Sequence, residues 1–177
     1  PIYCNPAFTS YAITLKKNII TGNSKKIDGI RADSGKLILS SNTISSCSRA
    51  IILSSKVKGT VYPNTFKKNT YNNVKVNSSY VNTLTVKSLS GKSKSAKTAT
   101  LNWKKLSSAS GYVVYRSASK NGSYTKISTI KKNKTITYKD SKLKRKSTYY
   151  YKIVPYTTIG KTTVYGLDSK IVSIKIK

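Results

Sequence analysis

The chain has 177 residues and carries 34 Lys and Arg against 4 acidic residues, a formal net charge of +30, with no His. This excludes His-based acid–base catalysis and an extensive salt-bridge network. It predicts attraction to polyanions such as acidic polysaccharide, teichoic acid, nucleic acid or anionic lipid, the alternative being a general solubilising bias toward Lys, Asn, Ser and Thr.

Ile, Val, Thr and Tyr favour strands and Asn and Ser favour turns, while Glu is absent and Ala and Leu are scarce, so the composition predicts an all-β protein of one large or two small domains. The two cysteines, Cys4 and Cys47, lie outside any CxxC pair; without His they predict no zinc site, and either one disulfide or two thiols. No stretch is long and apolar enough to span a bilayer as a helix.

The first part of the chain repeats. Leu15–Ile20, Leu39–Ile44 and Val61–Phe66 superimpose, with Asn18, Asn42 and Asn64 at equivalent positions 24 and then 22 residues apart. Each is followed by a short apolar run: residues 29–32, 50–53 and 73–76. A period near 22 residues with two short strands per repeat suits a parallel β-solenoid, in which inward Ile, Leu, Val and Phe stack and the asparagines form an amide ladder at a left-handed turn. An antiparallel meander is the alternative, but it gives no reason for the asparagine register. Three coils would leave an open apolar end, so further coils are expected before Pro1.

Repetition stops near residue 80, giving domains 1–80 and 81–177. The second domain reads as seven strands: Leu84–Leu89, Ala99–Trp103, Gly111–Arg116, Tyr124–Ile130, Thr135–Tyr138, Thr148–Tyr156 and Ile171–Ile176. Turn signals separate them at Ser90-Gly91, Asn121-Gly122 and Ile159-Gly160. Trp103 faces inward on the second strand, and Leu143 precedes Tyr149 by six residues.

Two resemblances follow. The Asn-x-Ile repeats with Gly-Ile or Ala-Ile after the turn resemble the right-handed parallel β-helix of the pectate-lyase-like superfamily. The strand pattern around Trp103, the Leu143/Tyr149 pair and the string from Gly111 to Ile127 resemble the fibronectin type III domain, in versions common in secreted bacterial proteins. Arg145 stands where that family often has Pro. The fold these resemblances imply is all-β: C-terminal coils of a right-handed parallel β-helix, then a seven-stranded immunoglobulin-like sandwich.

Chemistry is sparse. Pectate-lyase-like enzymes hold calcium with acidic residues, but the first domain offers only Asp28 and Asp33, which flank Arg31 and read as a solvated ion pair worth about 0–1 kcal/mol. Asp140, read as a turn cap before Leu143, and Asp168 are the other acids, so paired carboxylates and a Ser–His or Cys–His nucleophile are unavailable in this chain. No cofactor is expected. Tyr149 and Tyr151 read as core and corner residues, and Tyr150 with Tyr112 or Tyr156 as an aromatic platform for sugars.

Sandwich topology sorts loops by end. Lys92, Lys94, Lys97, Arg116, Lys120, Lys142, Lys144, Arg145 and Lys146 should share one pole. These features predict a monomeric, non-catalytic binding or spacer region of a secreted or surface-attached bacterial protein, facing acidic polysaccharide or cell-wall polymer. The second reading is the tail of a polysaccharide lyase or hydrolase whose active site lies upstream of residue 1. Nucleic acid ranks last, because the basic loops lack aromatics.

Overall fold

A computed structural model describes residues 2–4, 12–22 and 27–177. The regular elements among them are all strands: β1 (Ile2–Cys4), β2 (Ala12–Lys16), β3 (Ile19–Thr21), β4 (Ile30–Ala32), β5 (Gly35–Ser40), β6 (Thr43–Ser45), β7 (Arg49–Leu53), β8 (Val57–Val61), β9 (Thr65–Lys67), β10 (Tyr71–Val76), β11 (Ser79–Val81), β12 (Leu89–Lys92), β13 (Ala99–Trp103), β14 (Gly111–Ser117), β15 (Thr125–Ile130), β16 (Thr137–Asp140), β17 (Thr148–Ile159), β18 (Thr162–Tyr165) and β19 (Val172–Lys175). They form two compact units, Pro1–Thr83 with Thr157–Tyr165, and Leu84–Tyr156 with Gly166–Lys177.

In the first unit every third strand pairs in parallel. β1, β4, β7 and β10 make one sheet, β2, β5 and β8 a second, and β3, β6 and β9 a third. Each repeat therefore contributes three strands, where the sequence suggested two. The run Leu15–Ile20 divides because Lys17 adopts φ 57°, and Ser41 at the equivalent place adopts φ 55°. The left-handed residue thus precedes the ladder asparagine. This corrects the expectation that asparagine itself takes that conformation: its side chain is committed to the neighbouring repeat instead.

Parallel register stacks like on like. Ile30 lies beside Ile51, and Ile51 beside Val74. Leu39 lies beside Val61, and Ile44 between Ile20 and Phe66. Ile30, Leu39, Ile44 and Ile51 are fully buried, each contributing about 2 kcal/mol of apolar transfer. Two edges are covered. Asn77, at φ 53°, turns the chain so that β11 returns antiparallel on β10. β18 adds a parallel strand to β8, with Thr163 beside Thr60, and buried Thr162 donates its hydroxyl to the Val57 carbonyl at 2.9 Å. The sequence reading passed over β18 because its partner lies about a hundred residues away.

The second unit is a two-layer antiparallel sandwich of seven strands. β12, β13 and β16 form one sheet; β15, β14, β17 and β19 form the other. Leu101, Trp103, Tyr112, Val114, Leu143, Tyr151, Ile153 and Ile174 fill the space between. Trp103 meets Tyr112 edge-on at 5.4 Å.

The predicted first strand is displaced. Leu84 and Val86 are buried, but the ladder begins only at Leu89 and runs through Ser90-Gly91, read earlier as a turn. Gly91 pairs with Leu101, and a Cβ there would sit 2.5 Å from the Ile174 Cδ1 and 2.9 Å from the Leu101 Cδ2. The glycine therefore permits close approach of neighbouring chains rather than a turn. Asn121-Gly122 does join β14 to β15, and Gly160, at φ 56°, follows β17.

Candidate functional site

The predicted basic loops converge at one end of the sandwich. The Leu143 amide donates to the Lys97 carbonyl, and the Lys97 amide to the Lys177 carbonyl. The Lys146 amide donates to Ile176, and the Lys177 amide to the Ser93 hydroxyl at 3.1 Å. Segments 93–97, 142–147 and 175–177 are thus tied together by backbone bonds. The hairpin carrying Lys120 opens at the same end, since Ser117 pairs with Tyr150 and Tyr150 with Ser173. Lys92, Lys94, Lys97, Lys120, Lys142, Lys144, Arg145 and Lys146 are all exposed.

Lys97, Lys142 and Lys146 hold left-handed backbone, with φ 59°, 61° and 61°. Such positions strain a residue with a side chain. Sequence reasoning missed Lys175 and Lys177, which the pairing of Lys175 with Thr148 brings to this end. Their position last in the chain gave no loop signal.

Arg116 differs from the rest. Its Nη1 bonds the Asp140 Oδ2 at 3.0 Å, and its guanidinium lies 5.3 Å from the Tyr149 ring centre. It is a tie between the sheets more than a free cation. Asp140 is buried at the end of β16, beside Ala99, and also accepts the Tyr151 hydroxyl at 2.9 Å. That corrects its reading as a turn cap. The acid at this pole is therefore internally neutralised. Leu143 is in the core, and the Tyr149 hydroxyl accepts the Lys144 amide at 3.3 Å.

Burial raises the Tyr151 phenol well above its ordinary value; the Asp140 charge and hydrogen bond add to this, and Arg116 partly offsets it. A phenol whose pKa is higher in the fold than in the unfolded chain stabilises fully below about pH 10 and loses that stabilisation as pH rises beyond it. The urea midpoint, read by Trp103 fluorescence, should fall above pH 10 more steeply in the parent than in Tyr151→Phe. Equal slopes would show that the phenol is not held protonated.

The proposed sugar platform of Tyr150 with Tyr112 or Tyr156 does not assemble. Tyr112 is wholly buried, its hydroxyl accepting the Leu106 amide at 2.9 Å, and the Tyr156 hydroxyl lies 3.4 Å from the Ile130 carbonyl. Lys152 lies 4.8 Å from the Tyr124 ring centre and 5.6 Å from that of Tyr115, and bonds Asp168 at 2.7 Å.

In the first unit the asparagines are in register. The Asn18 amide and Nδ2 each donate to the Asn42 Oδ1 at 3.0 Å. The Asn42 amide and Nδ2 each donate to the Asn64 Oδ1 at 2.9 Å, and the Asn42 Nδ2 also reaches the Leu15 carbonyl at 3.0 Å. A second ladder position went unnoticed: the Asn69 Oδ1 accepts the Cys47 amide at 2.9 Å. Cysteine at that place hides the repeat. Cys47 is a buried free thiol donating to the Ser45 carbonyl at 3.1 Å, while the Cys4 side chain lies outside the described residues. Asp28 ion-pairs with Arg49 at 3.3 Å and Arg31 at 3.8 Å, and Arg31 with Asp33 at 3.6 Å.

No protein-family model matches the chain, and no curated protein does. Solved structures do. A Fn3-like protein from Clostridium thermocellum is 29% identical, over 51% of this chain and 88% of that one, with TM-score 0.44. The FN1–FN3 domains of chicken CNTN1 are 20% identical over 54% of this chain, with TM-score 0.44; the chain spans 32% of that protein. The 6th fibronectin type III domain of human fibronectin type III domain containing protein 3 is 19% identical over 54% of this chain and 87% of that one, with TM-score 0.45. The strand order and core packing described above carry the assignment of the second unit as an immunoglobulin-like sandwich.

Proposed function

We propose that this chain is a non-catalytic binding and spacing region of a secreted or surface-attached bacterial protein. In this reading the first unit is the closing coils of a right-handed parallel β-helix, supported by its parallel registers and the Asn18–Asn42–Asn64 ladder. The second is a fibronectin type III domain, supported by its three-on-four strand distribution. The partner is an acidic polysaccharide or cell-wall polymer.

One observation carries the binding role. Eight exposed cations, seven in loops and Lys92 at the end of β12, lie toward one end of the sandwich, and the acid at that end, Asp140, is already paired with Arg116 and Tyr151. Such a field attracts a flexible polyanion, with a reach of about 8 Å at physiological ionic strength.

The test is retention on immobilised pectin or heparin along a salt gradient. The quadruple variant Lys92→Gln, Lys94→Gln, Lys144→Gln, Arg145→Gln avoids the left-handed positions, so the fold is left alone. The parent should stay bound at physiological salt and the variant should elute well before it. Identical elution would remove the pole from the binding surface, and no retention of the parent would leave the unit a spacer.

A further inference from the structure

We infer a glycan-binding site on the outward face of the sheet β4-β7-β10-β11, formed by Tyr71, Lys75 and Tyr80, that takes a carboxylate-bearing sugar. The register places Lys75 and Tyr80 in one row across the sheet, and a ring contact brings Tyr71 to Tyr80. Arg31 lies beside Ile52, Ile52 beside Lys75, and Lys75 beside Tyr80. All four point outward, because the residues flanking Arg31, Ile52 and Lys75 along their strands, and Val81 after Tyr80, are buried. At the usual strand spacing the row spans roughly 14 Å, enough for a short stretch of polymer to lie along it.

The aromatic geometry separates this cluster from the rest of the molecule. Tyr62 and Tyr165 stack in the same unit with centres 5.0 Å apart and planes 9° from parallel, so one face of each ring is spent on the other. Tyr71 and Tyr80 are each 50% exposed, their centres are 6.4 Å apart and their planes tilt by 36°. The two rings are therefore not stacked on each other, and half of each residue stays open to solvent. Apolar sugar faces pack on such rings, and the phenol hydroxyls can bond sugar hydroxyls.

Charge selects the sugar. The Lys75 ammonium lies 5.4 Å from the Tyr80 ring centre, and among the described residues it pairs with no acid, whereas Arg31 and Arg49 are both tied to Asp28. A sugar stacked on Tyr80 would bring a ring carboxylate to this ammonium, where a neutral sugar has nothing to offer it.

The inference shares the polymer class of the proposed function but not its residues, so the two can fail separately. The probe is an alginate hexasaccharide, a pure polyuronate, titrated into the full chain and followed by tyrosine fluorescence or amide shifts. Tyr71→Ala and Tyr80→Ala should each weaken binding about tenfold, the loss expected from one stacked aromatic contact. Tyr80→Phe should retain most affinity, and Lys75→Gln should lose a few-fold. A neutral mannan hexasaccharide should bind more weakly than alginate to the parent. The quadruple pole variant should still shift the Tyr71 and Tyr80 signals. Unchanged affinity in both alanine variants, or equal binding of the neutral sugar, would overturn the assignment. An alanine variant whose circular dichroism shows misfolding is replaced by the Tyr80→Phe and Lys75→Gln pair, and unchanged alginate affinity in Lys75→Gln then decides against it.

Discussion

Replacing Asp140 with alanine should lower the stability of the sandwich by about 3 kcal/mol. Asp140 is 7% exposed, and its carboxylate holds two partners from the opposite sheet, Arg116 at 3.0 Å and the hydroxyl of the wholly buried Tyr151 at 2.9 Å. Deleting it strands the phenol in an apolar core and leaves the guanidinium without its counter-charge. Breaking such a buried pair costs about 3–5 kcal/mol, and the 33% exposure of the Arg116 side chain places this case at the lower end, because water takes over part of the solvation. Asp140→Asn keeps an acceptor for Tyr151 and should cost about 1 kcal/mol. Trp103, the only Trp and part of the sandwich core, reports this unit's unfolding alone, so a two-unit chain can still give a clean urea transition. An alanine variant within about 0.5 kcal/mol of the parent would mean the bridge contributes little beyond a surface pair.

What the sequence disclosed follows from the range of each interaction. The Asn18–Asn42–Asn64 spacing was legible because an amide ladder demands the same chemistry at the same place in every repeat. The second ladder position, at Asn69, was not, because Cys47 breaks the identity while its backbone amide keeps the bond. That segments 93–97 and 142–147 share one end was legible because alternating antiparallel strands sort loops by end, a consequence of strand order alone. The Arg116–Asp140–Tyr151 bridge joins residues across two sheets and has no local signature, and Asp140 before Leu143 looked like an ordinary turn acid. Gly91 shows the same limit from the other side. A glycine after serine is a turn cue locally, and only the packing of Ile174 and Leu101 around it reveals a strand. The Tyr71–Lys75–Tyr80 cluster depends on the turn at Asn77, which sets Lys75 opposite Tyr80; a shift of one residue would send Tyr80 to the inner face.

The ladder gives the second large effect, with an internal ranking that makes it testable. Asn42 is wholly buried; its Oδ1 accepts two bonds from Asn18, and its Nδ2 donates to the Asn64 Oδ1 and the Leu15 carbonyl. Asn42→Ala leaves the Asn18 backbone amide and the Leu15 carbonyl without their Asn42 partner and takes one of two donors from the Asn64 Oδ1, while the Asn18 Nδ2 loses its Asn42 bond but keeps the exposed Lys16 carbonyl. At about 1 kcal/mol per uncompensated bond the expected loss is about 3 kcal/mol. Asn64→Ala removes the acceptor of two Asn42 donors and should cost about 2 kcal/mol, and Asn18→Ala, which removes one donor from an outer rung, about 1 kcal/mol. The first unit contains no Trp, so amide hydrogen exchange is the suitable measurement. Protection of β5, β6 and β8 should fall in the order Asn42, Asn64, Asn18, while the amides of β13 and β14 keep their rates. Equal losses at the three positions would show that the asparagines serve the turns one by one. The ranking follows only if each amide is a rung whose worth depends on the rung on either side.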